Sequence, residues 1–322
     1  MDGARPFADR ILTMPTTTLF PTLIGQPSAI ELLSQAIAQD RVAPAYLFAG
    51  AHGIGKRLAA KAFLRALLGD TGNRTDRGNH PDLLWIEPTY LHQGKRFSPT
   101  EAEAAGVKRK SAPIVRLDQI REISVFLSRP PLEADRAVVV IDSAETMPES
   151  AANALLKTLE EPGRATIILL APSIESLLPT LVSRSQRIPF YRLSHTDFCE
   201  VVQRSDHRQL LEQQQIIDLA QGSPGDAIEQ WQRLQDIPPE LLSQTIQRPT
   251  NVPDALRLAK QITKTLDAES QVWLLDYLQQ VYWRSGTVSI PVLEQLEKSK
   301  EYLRAFVQPQ LVWEVTLMAG LI

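Results

Sequence analysis

Cysteine is almost missing from this chain: Cys199 stands alone among 322 residues. One thiol excludes an internal disulfide and any zinc site built from several cysteines, so no zinc is expected. No apolar run reaches the roughly eighteen residues that a membrane-spanning helix needs, and no signal peptide is expected. Nor is there a large excess of charge of either sign. A net charge of −3 and a pI near 6.0 argue against a protein that holds nucleic acid by bulk electrostatics. The expected setting is cytoplasmic, with no membrane partner. At 322 residues the chain is longer than a single core usually serves, so two or three domains are expected. Cys199 sits beside Phe198 and Val202 in a helical pattern and reads as a buried filler.

What is present is a glycine loop, Gly50-Ala51-His52-Gly53-Ile54-Gly55-Lys56-Arg57. It follows the phosphate-binding pattern G-x-x-x-x-G-K-[ST] except at its last place. In the intact motif Gly50, Gly53 and Gly55 would let backbone N–H groups curl round phosphates, and Lys56 would meet the terminal one. The final hydroxyl would ligate Mg²⁺, but that place is Arg57, which has five donors and no lone pair. Context supports a real loop. The apolar run Ala45–Ala49 precedes it with strand character, and Leu58–Leu68 follows it as a strong helix former. ATP or ADP held without hydrolysis and an empty loop are both compatible with these residues.

An acidic partner is expected at the end of a later buried strand. Ala137-Val138-Val139-Val140-Ile141 is an unbroken β-rich run that ends at Asp142, where ligands of a parallel sheet collect. Asp142 as a plain turn cap is the alternative. In a working ATPase the next residue is usually an acid that polarises water; here it is Ser143. Glu145 lies two residues further on and is not expected to take that place. With no metal to neutralise it, Asp142 is expected to pair with Arg57.

A third segment makes the pattern more particular. Ser150–Glu161 reads as a helix stopped by Pro162-Gly163, Ala165–Leu170 as a strand, and Leu181-Val182-Ser183-Arg184-Ser185 follows. With the run Asn153-Ala154-Leu155-Leu156-Lys157-Thr158-Leu159-Glu160-Glu161-Pro162, the sequence closely resembles the bacterial clamp-loader AAA+ family. Leu23-Ile24-Gly25-Gln26, His80-Pro81-Asp82 and Gly222-Ser223-Pro224-Gly225-Asp226-Ala227 are further matches, so the resemblance runs from about Leu19 to the C-terminus.

That resemblance implies an AAA+ parallel sheet with helices on both faces, then a small helical lid, then a helical collar. It also implies that Arg184, in the family's S-R-C position, is an arginine finger projecting into a neighbour's ATP site. An ordinary surface charge is the bland alternative for Arg184. Three groups of the family's motor subunits are missing together: the hydroxyl at Arg57, the acid at Ser143 and the lid arginine at Gly225. Phosphoryl transfer depends almost wholly on positioning and charge stabilisation, so little or no ATPase of its own is expected. The resemblance further implies gamma/tau-type motor subunits and a delta subunit as partners in a five-membered ring. Contact with primed DNA would come through that assembly, with the sliding clamp as a further candidate partner. A hydrolysing motor subunit or helicase loader, and an inert ring scaffold, are the rival readings.

The family's four-cysteine zinc knuckle is replaced here by the polar turn residues Gly69–His80. The expected division is an N-terminal extension over 1–18, an α/β domain over 19–191, a lid over 192–236 and a collar over 237–322. Asp236-Ile237-Pro238-Pro239 reads as a linker, and Arg248–Pro253 as the capped entry to another helix. Trp273, Leu274, Tyr277, Leu278, Val281 and Tyr282 recur at helical spacing and are expected in a core. Leu311–Met318 is expected as the last helix. Lys95-Arg96 and Lys108-Arg109-Lys110 flank an acidic, alanine-rich piece. They read as a solvated face, with contact to a phosphate backbone as the alternative.

Overall fold

Three apolar runs, Ala45–Ala49, Ala137–Ile141 and Ala165–Ala171, are buried along their entire length in the computed structural model of this chain. Strands buried on both faces carry no polar alternation, which is why they read as continuous hydrophobic runs. The structure describes residues 19–70, 72, 74–106, 112–286 and 289–319. The expected N-terminal extension and Lys108–Lys110 lie outside the described residues.

The chain divides into two compact units, the first ending at Phe198 and the second beginning at Cys199. The first is built on a five-stranded parallel sheet of order β2-β5-β6-β1-β7. Its strands are β1 (Ala45–Ala49), β2 (Leu83–Ile86), β5 (Ala137–Ile141), β6 (Ala165–Ala171) and β7 (Gln186–Pro189). Register runs from Ala45 opposite Ile167 to Ala49 opposite Ala171, and from Ala137 opposite Ala165 to Ile141 opposite Leu169. Helices connect the strands: α1 (Pro27–Ala38), α2 (Lys56–Leu68), the short α3 (Pro99–Ala104), α4 (Leu117–Leu127), α5 (Glu149–Glu160) and the single turn α6 (Pro179–Ser183). α5 turns Ala151, Ala152, Leu155 and Leu159 to the sheet, and α4 adds Ile120 and Ile123. On the other face, α2 packs Ala59, Ala60, Phe63 and Leu64, with Phe63 edge-on to Tyr46.

A hairpin that the sequence reading left out joins β3 (Tyr90–His92) to β4 (Lys95–Phe97). Its turn residues Gln93 and Gly94 both have positive φ, the conformation that suits a two-residue hairpin. Arg96 pairs with Glu122 at 2.6 Å and Asp118 at 3.8 Å on α4, so its charge is already matched within the chain. In the polar turn after α2, the Asp70 carboxylate accepts from Gly72 N at 3.0 Å, Thr75 N at 2.8 Å and Thr75 Oγ1 at 2.9 Å. A carboxylate and its donors organise this turn.

The second unit is helical. It comprises the end of α7 (His195–Arg204), then α8 (Gln214–Ala220), α9 (Pro224–Asp236), α10 (Pro239–Gln247), α11 (Val252–Thr265), α12 (Ala268–Ser285), α13 (Ile290–Arg304) and α14 (Pro309–Met318). Asn251 caps α11 by accepting from Asp254 N at 2.9 Å. The aromatic stripe is core: Trp273, Leu274, Tyr277, Leu278 and Tyr282 are buried, while Val281 is half-buried. Trp313 is wholly buried and donates to Gln271 Oε1 at 3.0 Å. Lys300, also buried, meets Asp276 at 2.8 Å, Gln279 at 2.9 Å and Glu297 at 2.5 Å, the pairing that a buried ammonium requires. Cys199 is half-buried, where a buried filler was expected. No described helix is long and apolar enough to cross a membrane.

Candidate functional site

The glycine loop leaves the carboxyl end of β1, and Asp142 stands at the carboxyl end of β5, with β6 between them. Two strand spacings, about 10 Å, separate the two ends, which is the crevice where open parallel sheets take ligands. Gly53 and Gly55 have φ of 69° and 105°, conformations that favour glycine. Gly50 is needed for a different reason: a Cβ there would lie 2.4 Å from the Phe190 carbonyl oxygen. Its smallness serves packing against the residue after β7.

Gln26 fastens this loop from below. The side chain is buried, and its Nε2 donates to Ile54 O at 3.2 Å and Tyr191 O at 2.7 Å while Oε1 accepts from Tyr191 N at 3.0 Å. Asp82 does a similar service at the other edge of the sheet. Its carboxylate accepts from Leu132 N at 2.6 Å, Glu133 N at 2.8 Å and Ala134 N at 2.8 Å. Burial works to raise the Asp82 pKa, but those three N–H groups outweigh it and hold the carboxyl below its ordinary value. Both residues lie in segments matched by resemblance; their roles as bridges were not legible from spacing.

Lys56 opens α2, and its Nζ donates to the carbonyl oxygens of Gly50 and of Ala51, the latter at 2.5 Å. Arg57 turns the other way. Its Nε lies 2.5 Å from Asp142 Oδ2, its Nη2 lies 3.2 Å from Glu87 Oε2, and its guanidinium carbon stands 5.6 Å from the Trp85 ring centre. The expected Arg57–Asp142 pair is therefore present, and Glu87 and Trp85 at the end of β2 are partners that sequence spacing did not reveal. Magnesium does not fit this donor set. The motif's hydroxyl is absent, and the Asp142 oxygen is in contact with a cation that has no electron pair to share.

Glu145 returns toward the loop through a turn that the sequence reading did not describe. Ser143 adopts the left-handed conformation (φ 49°, ψ 51°), and the chain then closes a 3₁₀ turn over Ala144–Thr146. This folds Glu145 back, half-buried, with Oε2 buried and without a hydrogen-bond partner among the described residues. Burial pushes its carboxyl up from the ordinary value; Asp142 adds to the rise, while Lys56 and His52 oppose it.

Arg184 follows α6 and closes it as the C-cap. Its Nη1 donates to Thr180 O at 3.2 Å and its Nη2 to Glu160 Oε1 at 2.8 Å, and its side chain is 38% exposed. Two of its five donors are anchored on its own chain, at Thr180 in α6 and Glu160 in α5. Ser185 Oγ turns inward to Leu181 O at 2.9 Å. Gly225 lies in the first turn of α9, in the second unit.

Residues 25–194 match the family described as DNA polymerase III, delta subunit, and residues 196–320 match the cyanobacterial DNA polymerase III delta prime, C-terminal domain. The chain belongs to the delta-prime family of DNA polymerase III subunits. It is 32% identical over 180 residues to DNA polymerase III subunit delta' of Bacillus subtilis, covering 52% of this chain and 48% of that protein. It is 36% identical over 166 residues to the delta' subunit of Pseudomonas aeruginosa, covering 48% and 44%. Subunit tau of Bacillus subtilis matches at 31% over 176 residues, covering 54% and 29%. The chain thus spans about half the length of the delta' relatives it matches, and less of the tau protein. Among solved structures, a DNA polymerase III gamma subunit-related protein from Thermotoga maritima aligns with a TM-score of 0.53 and 17% identity, over 91% of this chain and 98% of that one. At that identity the likeness speaks for the fold alone.

Proposed function

We propose that this chain is a non-motor subunit of a replicative clamp loader. It lends Arg184 to the ATP site of a neighbouring subunit and hydrolyses little or no ATP itself. The observation that carries the reading is where two partly exposed arginines stand, one within the chain's own glycine loop and one outside it at the C-cap of α6. Arg57 is engaged with Asp142 inside the chain's own phosphate-type loop. Arg184 is anchored through only two of its donors and keeps an exposed face. An arginine supplied in trans stabilises charge growing on a transferred phosphoryl group and is worth roughly 10³ to 10⁵ in rate.

In this reading the partners are gamma/tau-type motor subunits and a delta subunit in a ring of five. The α/β domain, lid and collar divide the chain near residues 191 and 236. Primed DNA and the sliding clamp are met through the assembly, in the cytoplasm. The test is reconstitution with the partner subunits and Arg184→Ala protein. DNA-stimulated ATPase and clamp loading are expected to fall while the ring still assembles. An unchanged rate favours an inert scaffold, in which the Glu160 contact is the whole role of Arg184. Mg²⁺-dependent turnover by the isolated chain, abolished in Lys56→Ala, favours a motor subunit.

A further inference from the structure

We propose that Arg57 is a tethered cation that takes the place of Mg²⁺ in this loop, so that Mg²⁺ adds nothing to nucleotide binding there. The proposal deepens the non-hydrolysing half of the reading above, and it stands on geometry that involves neither Arg184 nor any partner subunit.

The first support is position. Arg57 directly follows Lys56 at the start of α2, at the place where the phosphate-loop pattern calls for a metal-ligating hydroxyl. Its side chain reaches the ends of two adjacent strands. Asp142 follows β5 and Glu87 follows β2, and β2 and β5 are paired in the sheet. The two carboxylates are therefore bridged by one guanidinium, at 2.5 Å and 3.2 Å.

The second support is how firmly the group is held. Asp142 is the more buried partner, with 14% of its side chain exposed, and its backbone N–H is fixed to Ile86 O at 2.8 Å. The Trp85 ring provides a third hold at cation–π distance. Although 56% of the Arg57 side chain is exposed, its planar guanidinium has two carboxylates and a ring to set its orientation, which a lysine on a flexible stem would not match. A divalent ion brought to Asp142 would meet a like charge already in contact with that oxygen. The hydroxyl that the motif would offer in place of its lost water is missing at position 57.

The consequence is that Mg²⁺ does not contribute to any nucleotide affinity this chain has, and that exchanging one residue restores the dependence. ATP and ADP are titrated into the full chain by calorimetry, in millimolar Mg²⁺ and in EDTA, for the native protein and for Arg57→Thr and Lys56→Ala. The native protein is expected to show the same binding in both buffers within twofold, including the case of no detectable binding in either. Arg57→Thr is expected to bind at least tenfold tighter with Mg²⁺ than with EDTA, and its melting temperature is expected to rise with Mg²⁺ and ADP together. Lys56→Ala is expected to gain nothing. A native chain that binds tenfold tighter with Mg²⁺ overturns the proposal, as does folded Arg57→Thr with no Mg²⁺ dependence. If Arg57→Thr fails to fold, Mn²⁺ with ADP is added to the native chain and the Trp85 indole resonance is followed. Unchanged line width supports the proposal, and paramagnetic broadening overturns it. Arg184→Ala in the assembled ring reports on the other reading, so the two failures remain separate.

Discussion

Gln26 and Tyr191, 165 residues apart, exchange hydrogen bonds in both directions: Gln26 Nε2 donates to Tyr191 O at 2.7 Å, and Tyr191 N donates to Gln26 Oε1 at 3.0 Å. The same amide holds Ile54 O at 3.2 Å, so one side chain ties the glycine loop to the segment after β7. Replacing Gln26 with Ala would leave a cavity and remove three hydrogen bonds. A loss of about 2–4 kcal/mol is expected. Urea unfolding should show a lower midpoint with an unchanged slope; a shift below about 0.5 kcal/mol would mean that the bridge is idle.

Asp82 makes acid stability testable. Its native pKa lies below the unfolded value, so it stabilises the fold at pH above the unfolded carboxylate range. That contribution is lost as pH falls through the native value. Asp82→Asn is therefore expected to be less stable near neutrality and to lose less stability than the native protein between about pH 5 and pH 2. Parallel stability curves over that window would contradict the assignment.

Glu145 carries the opposite sign. Its carboxyl is raised by burial, so the charged form opposes folding at pH above the unfolded value, and stability grows as pH falls toward it. Glu145→Gln removes the charge and keeps the shape. A neutral or higher melting temperature at pH 7 is expected. A clear fall would mean that the charge is favourable in the native state, through Lys56 and His52.

Tyr282 tests the helical unit. Its hydroxyl donates to Thr245 O at 2.8 Å, and burial pushes its pKa up to about 12, with Arg248 opposing the rise. The stability this contributes is complete below the ordinary tyrosine value near 10 and is lost as pH rises through about 12. Burial also raises Tyr46 and Tyr277, so ultraviolet titration should show a late-ionising group of tyrosines, and Tyr282→Phe should remove one of them at a cost of about 1 kcal/mol. Ionisation of every tyrosine near pH 10 in the folded protein would contradict this.

Arg184 and Glu160 should matter little to the chain by itself. Their pair is solvent-exposed, and exposed pairs contribute about 0–1 kcal/mol. Arg184→Ala is expected to leave the melting temperature of the isolated chain within a degree or two while it lowers the ATPase of the assembled ring. A chain that melts much earlier would make Arg184 a structural residue first.

Local order was legible in the residues. The β-branched run Ala137–Ile141, the glycine loop between an apolar strand and a strong helix former, and the Pro-Gly stop after Glu161 each impose their own conformation through sterics and periodicity. Even the Arg57–Asp142 pair followed from the chemistry, because a carboxylate at that place needs a counter-charge. The tertiary structure decided what depends on chain return. Parallel strand order puts β6 between the loop and Asp142 and brings Trp85 of β2 and Glu87 just after it beside Arg57. A left-handed Ser143 folds Glu145 inward. Gln26 and Asp82 find their partners only across long separations, where burial, not sequence spacing, selects which donors and acceptors must meet.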